Sequence, residues 1–256
     1  MNFGVNYTAI VGSEKYVEWA CFSAKSVKRY MPKVRASLYT NRPDLVNKCR
    51  WGSFIDDILD APDYPPVDWQ GAMIDGILAS EKLGYDVTFF TGADTAICDD
   101  MTEIFELMGT GNFDLALTQP RDQRKRRYPL RGVHPGFPYY NDGAQFFPWN
   151  DATRKFYQDW RDFQWTHKVE CAHSRKAETK MHPTQPPFNE ALYHNSNLRL
   201  VLLPKNYNEQ LYTGCIYGKV KVVHVHGAGA RKAWELGEKF NKNWQGPRLF
   251  KNGKIL

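Results

Sequence analysis

Apolar and polar positions fall into blocks along the chain, and the blocks alternate between strand and helix character. Residues 5–11 are rich in β-branched and aromatic side chains, which predicts a first strand. Residues 14–30 carry Tyr16, Val17, Ala20, Cys21, Ala24 and Val27 at helical spacing and end on basic residues before Pro32. A second strand over residues 35–40 follows at once, with residues 41–44 as a turn. This β-α-β opening predicts an α/β fold whose central sheet is mainly parallel and flanked by helices. Residues 54–59 then read as a third short strand, 62–66 as a loop and 69–83 as a helix.

Residues 87–90 are β-branched or aromatic with no polar alternation, as a strand covered on both faces requires. They run into Gly92-Ala93-Asp94-Thr95, and Gly92 lets the backbone turn so that Asp94 projects from the carboxyl end of the strand. Open α/β sheets bind their ligands at such ends. The plainer reading of Asp94 is a carboxylate capping the turn into a helix over residues 101–108.

A strand over residues 113–118 precedes a basic and aromatic loop, residues 119–140, whose length marks it as functional or mobile. Phe146 and Phe147 close a strand after Asn141-Asp142-Gly143, and residues 152–163 form a helix with Phe156, Tyr157 and Trp160 inward. Residues 166–182 have no clear period and read as a lid candidate; their His167, Cys171, His173 and His182 match no zinc-module spacing. A helix over residues 186–194, with Phe188, Ala191 and Leu192 inward, is followed by strands over 198–203 and 220–225. The last ~20 residues read as a basic, weakly structured tail or a covering helix.

Composition narrows the picture. With 256 residues, 42% of them hydrophobic, the chain can bury one sizeable core, and one elaborated domain is the simpler expectation. No run approaches the ~18 apolar residues of a membrane span, and the first residues lack a signal-peptide profile, so a cytoplasmic protein is expected. Cys21, Cys49, Cys98, Cys171 and Cys215 are scattered and odd in number, which points to free thiols. The net charge of +6 is uneven: residues 119–140 and 231–256 together carry +10, leaving −4 on the remainder. A basic rim on a near-neutral body suits an anionic ligand, without choosing among nucleotides, nucleic acid and anionic glycans.

Several segments in order resemble the GT-A nucleotide-diphospho-sugar transferases, particularly glycosyltransferase family 8, over about residues 5–234. They are the β-α-β opening, the strand to Asp94 with its trailing Asp99-Asp100-Met-Thr-Glu-Ile-Phe, Tyr140-Asn141-Asp142-Gly143-Ala-Gln-Phe-Phe, Thr184-Gln185-Pro-Pro-Phe-Asn189-Glu190, and Val223-His224-Val-His-Gly227 with Lys232-Ala-Trp234. The resemblance implies a GT-A, Rossmann-like domain over residues 1–234, with 235–256 as the basic tail or covering helix. It implies transfer of a hexosyl or pentosyl group from a UDP- or GDP-type sugar to an unidentified glycan, protein or modified nucleic acid.

Within that resemblance, Asp94 and His224 are the metal ligands, and Mn2+ or Mg2+ is the ion, with an imidazole favouring Mn2+. Thr8, Ala9, Asp94, Asn141, Gly143, Gly227 and Lys232 bind the donor. Gln185 faces the anomeric carbon in a retaining reaction, the favoured course, whereas an inverting one needs a carboxylate base, for which Asp142 and Glu190 are the candidates. Two positions depart from the pattern. Gly92 stands where the first Asp of Asp-x-Asp belongs, which implies weak or dispensable metal binding. Thr184 replaces the Asp before Gln185, so donor specificity does not carry over.

Plainer readings stand beside these: His224 and His226 as satisfied core residues, Glu190 as a solvated helix residue, and Asp142 as a shaper of the turn before Gly143. Arg124, Arg126, Arg127 and Tyr140 are acceptor candidates, because guanidinium groups beside aromatic rings grip phosphates and stack bases or sugars. Nucleic acid is therefore among the expected acceptors, against the bland reading of a solvated basic loop. The rival function is a non-catalytic, degenerate GT-A module that binds an anionic polymer such as nucleic acid.

Overall fold

The computed structural model describes residues 1–10, 14–64, 69–118, 130, 132–172, 184–210, 213–251 and 254–255. The elements run β1 (Phe3–Thr8), α1 (Glu14–Tyr30), β2 (Arg35–Thr40), α2 (Pro43–Lys48), β3 (Asp57–Asp60), α3 (Trp69–Ala79), β4 (Val87–Thr91), β5 (Thr95–Ile97), α4 (Thr102–Gly109), β6 (Leu115–Thr118) and β7 (Ala144–Phe147). They continue through α5 (Asp151–Ala172), α6 (Gln185–His194), β8 (Leu200–Leu203), β9 (Thr213–Ile216), β10 (Val222–His224), α7 (Ala230–Asn241), β11 (Arg248–Lys251) and β12 (Lys254–Ile255).

A seven-stranded sheet in the order β3-β2-β1-β4-β7-β6-β8 is the scaffold. All its pairings are parallel except the two made by β7, which runs against both β4 and β6. Reversal of that one strand matters for the site, because its start, not its end, then lies at the edge where β4 and β6 finish. Among the described residues two smaller sheets stand beside it: β5 with β10, and β9 with β11 and β12.

The period of two along a strand explains why the central runs are apolar throughout. Phe89 and Phe146 point to one face and stack with ring centroids 4.1 Å apart, and there they meet Phe105 of α4 and the apolar side of α1. Phe90 and Phe147 point to the other face, into a cluster with Ile74 and Ile77 of α3, Phe156, Tyr157 and Trp160 of α5, and Phe188 of α6. Each fully buried ring contributes about 1.5–3 kcal/mol through the hydrophobic effect.

The structure bears out the α/β class and corrects several segments. The turn expected at 41–44 opens α2, with Pro43 in its first turn, where a missing N–H costs nothing. Helix α5 runs on to Ala172, so the front of the expected lid is helical; residues 173–183 lie outside the described residues, as do 119–129 and 131 of the basic loop. Residue 234 falls inside α7, and the chain beyond that helix is not a weakly structured tail. It forms β11 and β12, with Phe250 buried and 5.4 Å from Phe240 of α7. The basic residues hid this strand: Arg248 and Lys251 flank a single inward-facing ring, and lysine and arginine are common on such exposed small sheets.

No described helix is long and apolar enough to cross a membrane. Among the described residues Cys21, Cys49, Cys98 and Cys215 are free thiols, the first and third buried.

Candidate active site

The ends of four strands meet at one edge. Strand β4 ends at Thr91, whose hydroxyl donates to the Gly143 carbonyl at 3.2 Å, immediately before β7. Strand β6 ends at Thr118, whose carbonyl accepts the Asn141 N–H at 2.9 Å. Past Gly92 the chain enters β5, and antiparallel pairing of Thr95 with His224 brings the end of β10 alongside Asp94.

Asp94 is tied on three sides. Its Oδ1 lies 3.2 Å from His224 Nε2, its Oδ2 accepts the Gly227 N–H at 3.0 Å, and its carbonyl accepts the Val225 N–H at 3.4 Å. Burial raises the pKa of this carboxyl, but His224 and the Gly227 N–H outweigh burial and hold it below the ordinary value, so Asp94 is an anion at neutral pH. Gly227 and Gly229 adopt φ of 72° and 86°, a left-handed turn that side chains resist, and Trp19 of α1 fills the space a Cβ on Gly229 would need. Helix α7 starts at Ala230, directly after this turn.

His226 stands beside His224 with ring centroids 4.0 Å apart. One ligand atom each from Asp94, His224 and His226 lie within 4.8 Å of one another. His224 is 7% exposed, and its Nδ1 is buried with no hydrogen-bond partner among the described residues. A carboxylate and two imidazoles are a donor set that fits a divalent ion.

A second cluster adjoins the first. Asn141 Oδ1 accepts from the Gly143 N–H at 2.7 Å and from Asn208 Nδ2 at 2.6 Å, while Asn141 Nδ2 donates to Gln185 Oε1 at 3.3 Å. The Oδ1 of Asn208 is buried and has no hydrogen-bond partner among the described residues. Asp142 accepts the hydroxyl of Thr184. Thr184 is at the N-cap of α6, yet the next positions a cap would serve are Pro186 and Pro187, which have no N–H to offer. Its hydroxyl is thereby free for Asp142. Desolvation raises the Asp142 pKa, and Thr184 opposes part of that rise.

The remaining sequence-derived positions divide. Thr8 ends β1 and Ala9 follows it; among the described residues Thr8 Oγ1 is buried without a partner, and the Ala9 N–H donates to the Tyr39 carbonyl at 3.0 Å. Lys232 lies in the first turn of α7, more than half exposed, with Glu235 3.9 Å away. Glu190 is 3% exposed, so it is no solvated helix residue. Tyr140 is 6% exposed, its N–H donated to Asn189 Oδ1 at 2.6 Å and its carbonyl accepting Asn189 Nδ2 at 2.9 Å. Its ring belongs to the core beside Phe137 rather than to an open acceptor face. Arg124, Arg126 and Arg127 lie outside the described residues.

Sequence reasoning left out Asn208 and gave His226 only the reading of a core residue, with no ligand role. For His226 the signal was the alternation His224-Val-His226, which places both rings on one side of an extended segment. For Asn208 nothing in Lys205-Asn-Tyr-Asn208 could have shown it, because its partner Asn141 comes from a distant segment.

A scan against protein-family models finds no match, and neither does a search of curated protein sequences. Solved structures do match. Galactosyltransferase LgtC in complex with donor and acceptor sugar analogues superposes with a TM-score of 0.53 at 18% identity, covering 94% of this chain and 94% of that one. An active-site mutant of LgtC gives a TM-score of 0.51 at 15% identity over the same shares. At this identity the likeness establishes the architecture, which is the GT-A fold.

Proposed function

We propose that this protein is a glycosyltransferase that moves a sugar from a nucleoside-diphosphate donor of UDP or GDP type to a glycan, protein or modified nucleic-acid acceptor. The observation that carries the proposal is the meeting of Asp94, His224 and Gly227 at the carboxyl edge of the sheet, with Asn141, Gly143 and Gln185 beside them. The GT-A fold, shared with a galactosyltransferase, supports it.

Breaking the bond between a sugar and a nucleoside diphosphate builds negative charge on the departing diphosphate and positive charge on the anomeric carbon. Asp94 and His224 would hold a divalent ion, Mn2+ or Mg2+, that neutralises the departing oxygens. The chain's own groups do the rest. Lys232, in the first turn of α7, binds the diphosphate, and the positive end of that twelve-residue helix favours the same anion. Thr8 and Ala9, at the end of β1, bind the nucleoside. Asn141 and Gly143 orient the sugar, and the amide of Gln185, held by Asn141, lies against the anomeric carbon.

Retention is the course proposed. An inverting base must stand open on the acceptor side, but Glu190 is buried and Asp142 is engaged by Thr184. In its ionised form Asp142 instead stabilises the positive charge of the sugar in the transition state.

Titration calorimetry with UDP and GDP, with and without Mn2+, tests the first step. Binding of one nucleotide, with slow hydrolysis of its sugar conjugate, is the expected result. If neither nucleotide binds under either condition, the transferase reading is lost and the non-catalytic module takes its place.

A further inference from the structure

We propose that His226 is a third protein ligand of the divalent ion, replacing the carboxylate that Gly92 lacks, and that the resulting site selects Mn2+ over Mg2+. The inference rests on the transferase reading for the ion's role, but its binding chemistry stands on the geometry alone.

Three observations converge. The position of His226 is fixed by the residues on either side of it, since the Val225 N–H bonds the Asp94 carbonyl and the Gly227 N–H bonds the Asp94 carboxylate. Its ring is therefore delivered to the same point as His224, and the three ligand atoms fall within 4.8 Å. His226 is also exposed while His224 is buried, so the set has one inner wall and one side open to a diphosphate. Finally, a Cβ on Gly92 would sit 2.8 Å from Asp94 Oδ1 and 3.8 Å from His224 Nε2. A carboxylate at position 92 would project into this donor cluster; its absence leaves one protein ligand short, and the second imidazole makes up the number.

The exchange of a carboxylate for an imidazole changes which ion is preferred. Mg2+ demands oxygen ligands and keeps its waters, whereas first-row transition ions accept imidazole nitrogen readily. Two imidazoles and one carboxylate thus discriminate against Mg2+ in a way that two carboxylates and one imidazole do not.

Electron paramagnetic resonance of Mn2+ added to the metal-stripped full chain reads binding directly, because the signal of the free aqueous ion is lost on binding. Pulsed measurements then count the coupled imidazole nitrogens. The wild type is expected to bind Mn2+ with two coupled imidazoles and to resist displacement by excess Mg2+. His226→Ala should lower Mn2+ affinity roughly 10–100-fold, the scale seen when the shell around a metal is disturbed, and leave one coupled imidazole. Gly92→Asp in the His226→Ala background should restore binding and make it sensitive to Mg2+. UDP and GDP titrations on the same samples separate the two readings. Nucleotide binding together with Mn2+ binding that His226→Ala does not alter overturns the His226 assignment and leaves the transferase reading intact. Absence of both Mn2+ and nucleotide binding in the wild type overturns both.

Discussion

Thr184 donates its hydroxyl to the carboxylate of Asp142, although it occupies the N-cap position of α6, where a threonine ordinarily bonds its own helix. The two prolines that follow remove the competing donors, and the side chain is redirected across the site. The Asp-to-Thr departure at this position thus gives Asp142 a hydroxyl donor, where an aspartate would have placed a second negative charge beside it.

The Asp142 carboxyl therefore carries a testable balance. Burial raises its pKa and Thr184 lowers it, so Thr184→Val should raise it further. If turnover needs the ionised carboxylate, the acid limb of the kcat/KM profile moves to higher pH in Thr184→Val. Asp142→Asn should lower kcat by roughly 10²–10⁴ on the plateau above that limb, the difference from the wild type narrowing as pH falls. An unshifted limb in Thr184→Val would show that another group sets it.

Gly143 packs where no side chain fits without adjustment. A Cβ there would lie 2.9 Å from Asn141 Oδ1 and 3.3 Å from His224 Nδ1. Gly143→Ala should raise the donor KM about tenfold, equivalent to roughly 1.4 kcal/mol of binding, and leave the melting temperature within a few degrees. Steady-state kinetics and a thermal melt read the two effects separately.

Asp114 anchors the start of β6 to the residue before β8. It is 3% exposed and accepts from the Arg199 N–H, Nε and Nη2 at 2.9, 2.9 and 2.7 Å, and from Asn150 Nδ2 at 3.0 Å. Arg199 holds its pKa below the ordinary carboxylate value. The stabilisation is thus fully present above the unfolded value of about 4 and is lost as pH falls through the lower folded value. Asp114→Asn should cost about 1.5–3 kcal/mol at pH 7 and flatten the acid side of the stability profile, measured by urea denaturation.

Gly229 combines a φ of 86° with Trp19 Nε1 only 2.4 Å from where its Cβ would sit. Gly229→Ala should destabilise by about 1–3 kcal/mol, lowering Tm by roughly 2–4 °C per kcal/mol. It should also shift the turn that carries Gly227, so nucleotide affinity falls with stability. Normal Tm and normal nucleotide affinity together would mean that the indole yields freely.

Much of this was legible in the chain. The apolar block before Gly92 announced a strand buried on both faces and put Asp94 at its end, and the His224-to-Gly227 turn was readable for the same reason: a short apolar strand running into polar residues. What could not be read is set across the fold. No local pattern gives the direction of β7, yet that direction alone carries Asn141, Asp142 and Gly143 to the edge where β4 and β6 end. Asn208 and Asn189 act through partners remote in sequence, and Tyr140, bright as an acceptor candidate beside its arginines, is drawn into the core by Asn189. The terminal strands were masked by their basic residues, since only Phe250 and its partner Ile255 mark their inner face.

The placement of β7 between β4 and β6 also sets a schedule for synthesis. Residues 3–91 supply β1 to β4, but the outer edge of β4 finds its partner only when Phe146 and Phe147 have left the ribosome. At ~5–20 residues per second that is a delay of about 3–11 s, during which a row of unpaired amides and the rings of Phe89 and Phe90 stand open. A nascent chain halted between residues 91 and 144 should accordingly present a chaperone-binding, pairing-competent strand, and that strand should close as soon as the hairpin-like return of β7 emerges.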